Sequence, residues 1–151
     1  IGMFGVSGGA IATAILPAKT ENVAAFAMEA PIFDFAETAR AEVEFQGFPG
    51  FLWGLADTAA MLRGVDLNAT PITAGIEAAG SRPMLLLHGT NDQRLSYEGA
   101  VKFLDYAENA GVDISLETFA GADHTEGMLT ETQRYAEALT RFFRAALGQG
   151  S

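Results

Sequence analysis

Short apolar runs alternate with amphipathic stretches along most of this chain. Ile1-Gly2-Met3-Phe4-Gly5-Val6 has the length and composition of a doubly buried parallel strand, and Ala10-Ile11-Ala12-Thr13-Ala14-Ile15-Leu16 reads as a helix stopped by Pro17. A polar connector leads to a second apolar run, Val23-Ala24-Ala25-Phe26-Ala27-Met28, closed by Glu29-Ala30-Pro31. About 20 residues from strand to strand leaves room for a crossover helix, so residues 1–28 form a βαβ unit. Met84-Leu85-Leu86-Leu87 is a third buried strand, ending in the polar turn His88-Gly89-Thr90-Asn91-Asp92. Ser96 caps the next helix, whose apolar Ala100, Phe103, Leu104 and Ala107 share one face, and Gly111 stops it. Residues 113–119 alternate polar and apolar, as a strand near a sheet edge does. A loop, residues 120–127, precedes Thr130-Glu131-Thr132-Gln133, which has capping-box form; Tyr135, Leu139, Phe142, Phe143 and Ala146 make one stripe of a closing helix.

Residues 32–69 break this rhythm and read as a small helical insertion. A helix begins in residues 32–40, the stretch 45–53 mixes apolar side chains with breakers, and Thr58 to Leu62 is weakly helical. Phe48, Phe51 and Trp53 are candidates to line a substrate pocket; the alternative is that they and Phe45 fix the insertion to the sheet. With no repeat and no linker, the 151 residues are expected to form one domain.

Composition narrows the function classes. Nine Lys+Arg against 19 Asp+Glu give a net charge of −10, which repels nucleic acid and anionic membrane surfaces, so neither is expected as a partner. The absence of cysteine removes disulfides, thiolate metal sites and a cysteine nucleophile. The uncharged first 18 residues lack a basic flank and are interrupted by glycines, so they read as interior rather than as a membrane span or signal core. A soluble protein is expected, with the cytoplasm favoured.

The chemistry-bearing pattern is Gly5-x-Ser7-x-Gly9 between strand and helix. A serine on a sharp strand-to-helix turn is strained, and a Cβ at either flanking position is expected to collide with the neighbouring strand or helix. The turn exposes the Ser7 hydroxyl and aims the Gly8 N–H to where an attacked carbonyl develops negative charge. A serine hydroxyl needs an imidazole to take its proton, and the imidazole needs a carboxylate to fix its tautomer. His124, in the loop after the last strand, and Asp92, in the turn after the third, lie at the same carboxyl edge of a parallel sheet as Ser7. Asp123 is expected to order the loop or remain solvated, and His88 to hold its turn.

Leu85-Leu86-Leu87-His88-Gly89-Thr90-Asn91-Asp92 resembles the acid-bearing strand and turn of α/β-hydrolases, in the branches of prolyl-oligopeptidase-like peptidases, dienelactone-hydrolase-like enzymes and small carboxylesterases. Thr70-Pro71-Ile72 ahead of Arg82-Pro83 is similar to the approach to that strand. The resemblance implies an α/β fold: the C-terminal part of an α/β-hydrolase, a mostly parallel sheet of about four strands with flanking helices and the insertion. It also implies Ser7 as nucleophile, Gly8 as an oxyanion-hole amide, Asp92 as acid and His124 as base. Some relatives carry the acid after the previous strand, where Glu29 or Asp34 would stand in for Asp92. Full-length relatives also have strands before the nucleophile, one of which supplies the second oxyanion donor; such a donor is worth about 10²- to 10³-fold in rate. The implied reaction is cleavage of a carboxylic ester through an acyl-enzyme, or of a short peptide, with no metal and no cofactor. A catalytically silent binding or assembly module is the alternative. Without those strands Ile1–Val6 would be an apolar edge, so a homodimer or a complementing N-terminal fragment is expected as partner.

Overall fold

A computed structural model describes residues 1–64 and 71–148. The chain divides into two compact units, Ile1–Phe33 with Pro71–Ser151, and Asp34–Thr70.

The larger unit is built on four strands, β1 (Gly2–Val6), β2 (Ala25–Glu29), β3 (Met84–Gly89) and β4 (Ile114–Phe119), paired in the order β1-β2-β3-β4 and all parallel. Between them run α1 (Gly8–Ile15), α4 (Ile72–Ala79) and α5 (Tyr97–Asn109); α6 (Gly127–Thr130) and α7 (Thr132–Leu147) follow β4. Alternation along β2 and β3 splits the core. Phe26, Met28, Met84 and Leu86 face Ala10 and Ala14 of α1, Ile72 and Ile76 of α4, and Phe103 and Ala107 of α5. Ala27, Leu85 and Leu87 face the other way, with Phe119, against Tyr135, Leu139, Phe142 and Phe143 of α7. Covering both faces is why the two central strands are continuously apolar.

Four local features differ from the sequence reading. β1 is not doubly buried: among the described residues it pairs with β2 alone, and Met3, Phe4 and Val6 are 36–37% exposed. A second difference is α4, which the sequence reading passed over; Pro71 opens it, Gly80 at φ 59 ends it, and Ile72, Gly75, Ile76 and Ala79 form its buried face. Gly75 is required there, since a Cβ would meet the Ala14 carbonyl where α4 crosses α1. Nor does the capping box form: α7 has Glu131 as N-cap with no side-chain cap, and the Thr132 hydroxyl donates to the Met128 carbonyl of the preceding helical turn instead. Ser96, by contrast, accepts from the Gly99 N–H and caps α5, and Gly111 follows α5 at φ 79.

The fourth difference lies in the smaller unit, whose described residues form α2 (Phe35–Phe45), capped by Asp34 accepting from the Glu37 N–H at 2.8 Å, and α3 (Phe51–Met61). α3 starts a full two turns before the weakly helical stretch read from sequence, immediately after Pro49-Gly50. The end of the insertion and Thr70 lie outside the described residues. Among those described, no helix is long and apolar enough to cross a membrane.

Candidate active site

Ser7 sits on the turn between β1 and α1 with φ 51 and ψ −115, a conformation that L side chains rarely adopt. The turn is held from both sides: the Ser7 N–H donates to the Glu29 carbonyl at 2.9 Å, and the Ser7 carbonyl accepts from the Ala10 N–H at 2.9 Å. Gly5 makes the fold-back possible, because a Cβ there would meet the Gly9 carbonyl and the Thr13 hydroxyl. The same steric argument fails at Gly9, where a Cβ meets nothing within 4 Å because that position faces outward on α1. Gly8 is equally open, and its N–H is the first of α1, one of those with no carbonyl partner inside the helix.

The turn after β3 and the loop after β4 are joined along their length. Thr90 and Asn91 donate their N–H groups to the carbonyls of Phe119 and Ala122, and the Thr90 hydroxyl accepts from the Gly121 N–H. Gly89 allows this approach, since a Cβ would meet the Ala122 carbonyl. Asp123 adds a clamp: its Oδ1 accepts from the N–H of Gln93 at 2.8 Å and of His124 at 2.7 Å, and these bonds hold its carboxyl below the usual range.

Across this junction His124 Nδ1 lies 2.9 Å from Asp92 Oδ2, and His124 Nε2 lies 3.0 Å from Ser7 Oγ. The tautomer that satisfies both contacts carries its proton on Nδ1, donating to the carboxylate, and leaves Nε2 to accept from the serine hydroxyl. The Asp92 side chain is fully buried, and its Oδ1 accepts from the N–H groups of Arg94 at 2.9 Å and Leu95 at 2.8 Å.

The other carboxylates weighed from the sequence stand elsewhere. Asp34 caps α2 in the smaller unit. Glu29 is only 5% exposed and accepts a 2.6 Å hydrogen bond from the Tyr135 hydroxyl. Burial and that carboxylate push the Tyr135 phenol far above its ordinary pKa. This Glu29–Tyr135 link ties the end of β2 to α7, and sequence reasoning missed it; the signal was a charged residue closing a fully apolar run. His88, also buried, donates Nε2–H to the Leu95 carbonyl at 2.9 Å. The described non-glycine residues with positive φ are Ser7, Ala30 after Glu29, and Thr125 after His124, each at the carboxyl end of the sheet.

Phe48, Phe51 and Trp53 belong to the smaller unit, Phe48 before α3 and the other two in its first turn; Phe48 and Phe51 are largely exposed. Among the described residues no group of three His, Asp or Glu side chains is placed to hold a metal ion.

The sequence profile of the prolyl oligopeptidase family, Peptidase_S9, matches residues 1–150. The chain belongs to the prolyl oligopeptidase family. No curated protein matches the sequence. Among solved structures, an esterase of Pyrococcus furiosus superposes with a TM-score of 0.71 at 16% identity, covering 97% of this chain and 54% of that one. An acylaminoacyl peptidase of Pyrococcus horikoshii gives 0.72 at 16% identity, covering 97% and 24%. A puromycin-hydrolyzing peptidase of Mycobacterium tuberculosis gives 0.72 at 22% identity, covering 96% and 22%. This prolyl oligopeptidase family chain thus has their α/β fold and spans about half, or a quarter, of their lengths.

Proposed function

We propose that this chain carries the nucleophile, base and acid of a serine hydrolase that cleaves carboxylic esters through an acyl-enzyme on Ser7. The observation that carries the reading is the unbroken path from Ser7 Oγ through the His124 ring to Asp92 Oδ2, 3.0 and 2.9 Å long, with the serine on a strained strand-to-helix turn.

In that reading Ser7 Oγ adds to the ester carbonyl carbon while its proton passes to His124 Nε2. Asp92 stabilises the imidazolium through the Nδ1–H bond. The carbonyl oxygen, now negative, accepts from the Gly8 N–H at the positive end of α1. Collapse breaks the bond to the alkoxide, which leaves with the proton from His124. Water, deprotonated by the same imidazole, attacks the acyl-enzyme and releases the acid. Neither metal nor organic cofactor enters any step.

A fluorophosphonate probe tests the assignment: wild-type protein is expected to be labelled on Ser7, and Ser7→Ala and His124→Ala to remain unlabelled. Asp92→Asn should retain the fold and lower turnover on the order of 10³- to 10⁴-fold, because the amide no longer enforces the working tautomer. Folded wild-type protein that takes no label overturns the reading in favour of a binding or assembly module. A second reading, cleavage of short peptides, is favoured by membership of the prolyl oligopeptidase family. Comparing p-nitrophenyl esters of increasing acyl length with an aminoacyl anilide discriminates the two.

A further inference from the structure

His88 has no part in the mechanism above, yet it is the other imidazole of the chain and lies against the same carboxylate. Its side chain and that of Asp92 are both fully buried, with His88 Nε2 3.5 Å from Asp92 Oδ2, the oxygen that meets His124. Leu95 closes a ring between them: its N–H donates to Asp92 Oδ1 at 2.8 Å, and its carbonyl accepts from His88 Nε2 at 2.9 Å. A carbonyl can only accept, so the ring proton is on Nε2. Nδ1 is buried with no hydrogen-bond partner. A second proton there would stand bare against the protein interior, and burial accordingly holds His88 below its ordinary pKa. The charged or titratable groups facing it are Asp92 in its own turn, His124 from the loop after β4, and Glu29 from β2, while the Tyr97 ring at the start of α5 packs edge-on at 6.1 Å.

Resting on the reading of Ser7, His124 and Asp92 as a catalytic triad, we propose that His88 is a positioning residue for the acid. Its Nε2–H, given to the Leu95 carbonyl, holds the 92–95 turn whose N–H groups grip Oδ1, and with the ring standing 3.5 Å from Oδ2 this fixes the carboxylate with Oδ2 turned toward His124. With Oδ1 held by two backbone N–H groups and Oδ2 flanked by two imidazoles, the carboxylate has one orientation open to it. Without the His88 donor, the Leu95 carbonyl is orphaned and the 92–95 turn can relax, swinging Oδ2 away from His124 Nδ1.

The test pairs His88→Leu, which removes the donor, with His88→Gln, whose amide nitrogen reaches the place of Nε2. With two histidines in the chain, ¹⁵N spectra of the imidazoles are assignable by these variants alone. In wild-type protein His88 is expected to keep the Nε2–H tautomer and to be uncharged at neutral pH, since burial holds its pKa down. In His88→Leu the downfield proton resonance of His124 Nδ1–H, which reports its hydrogen bond to Asp92 Oδ2, is expected to move upfield as that bond lengthens. Ester turnover should fall about tenfold in kcat with KM within about twofold, and His88→Gln should restore most of both. An unmoved His124 Nδ1–H resonance in a folded His88→Leu, or a failure of His88→Gln to restore it, overturns the proposal. So does a wild-type His88 that carries its proton on Nδ1, a result that needs no variant to fold. The spectra also separate this proposal from the hydrolase reading: absence of labelling at Ser7 sinks the latter and leaves the spectra to decide the former.

Discussion

At Gly5 a hydrogen in place of a methyl group lets β1 double back over the first turn of α1. Gly5→Ala drives a carbon into the Gly9 carbonyl and the Thr13 hydroxyl, and is expected to lower unfolding stability in urea by about 1–3 kcal/mol. Gly9→Ala, on the open side of the same turn, should lie within about 1 kcal/mol of wild type on the stabilising side, since alanine is the better helix former. The two glycines look equivalent in the sequence because a motif records residue types and not which flank meets the strand. His88 supplies a pH dependence. Its pKa is lowered in the folded state, so below about pH 6.5 the unfolded chain takes up a proton that the folded chain refuses. Stability is therefore full above that pH and declines as pH falls below it. Urea midpoints measured from neutral pH downward should show this decline, and in His88→Gln the part due to this imidazole should vanish.

At the scale of elements, Arg82 secures the sheet end opposite the candidate site. Its guanidinium donates to the carbonyls of Pro17, Thr20, Val23, Ala78 and Ala79 and lies over the Phe26 ring, joining the turn after α1, the entry to β2 and the end of α4. Arg82→Met should cost about 2–4 kcal/mol by thermal or urea unfolding, and Arg82→Lys should recover less than half, because an ammonium cannot address carbonyls in several directions. The strands β2, β3 and β4 and helices α1, α5 and α7 were legible because burial writes itself into hydropathy. α4 was not, as eight residues of which half are glycine or alanine carry a weak periodic signal, and the start of α3 was masked by three glycines and a proline among aromatics. Likewise Ser7, Asp92 and His124 stood out by residue type and strand-end position. Glu29, Tyr135 and the role of Leu95 depend on contacts between distant segments, or on backbone groups that every residue possesses.

For the whole molecule, the open side of β1 is the feature with the widest reach. Among the described residues β1 pairs on one side only, with Met3, Phe4 and Val6 partly exposed, and an edge of that kind is a template for a further strand. The chain is expected to associate with itself in sedimentation experiments, or to bind a polypeptide supplying that strand. Met3→Lys and Phe4→Lys should each weaken the association at least about tenfold. A well-folded monomer at every practical concentration, with no such binding, overturns this expectation.

The backbone at Ser7 carries a consequence for how such a chain ages under selection. Holding a serine at φ 51 opposes folding by about 1–3 kcal/mol, and glycine at the same place would relieve most of it. If Ser7 is the nucleophile proposed above, a lineage that no longer used the hydroxyl would drift toward the sturdier, inert form, and a working copy of this turn would survive only as long as its chemistry outweighed its discomfort.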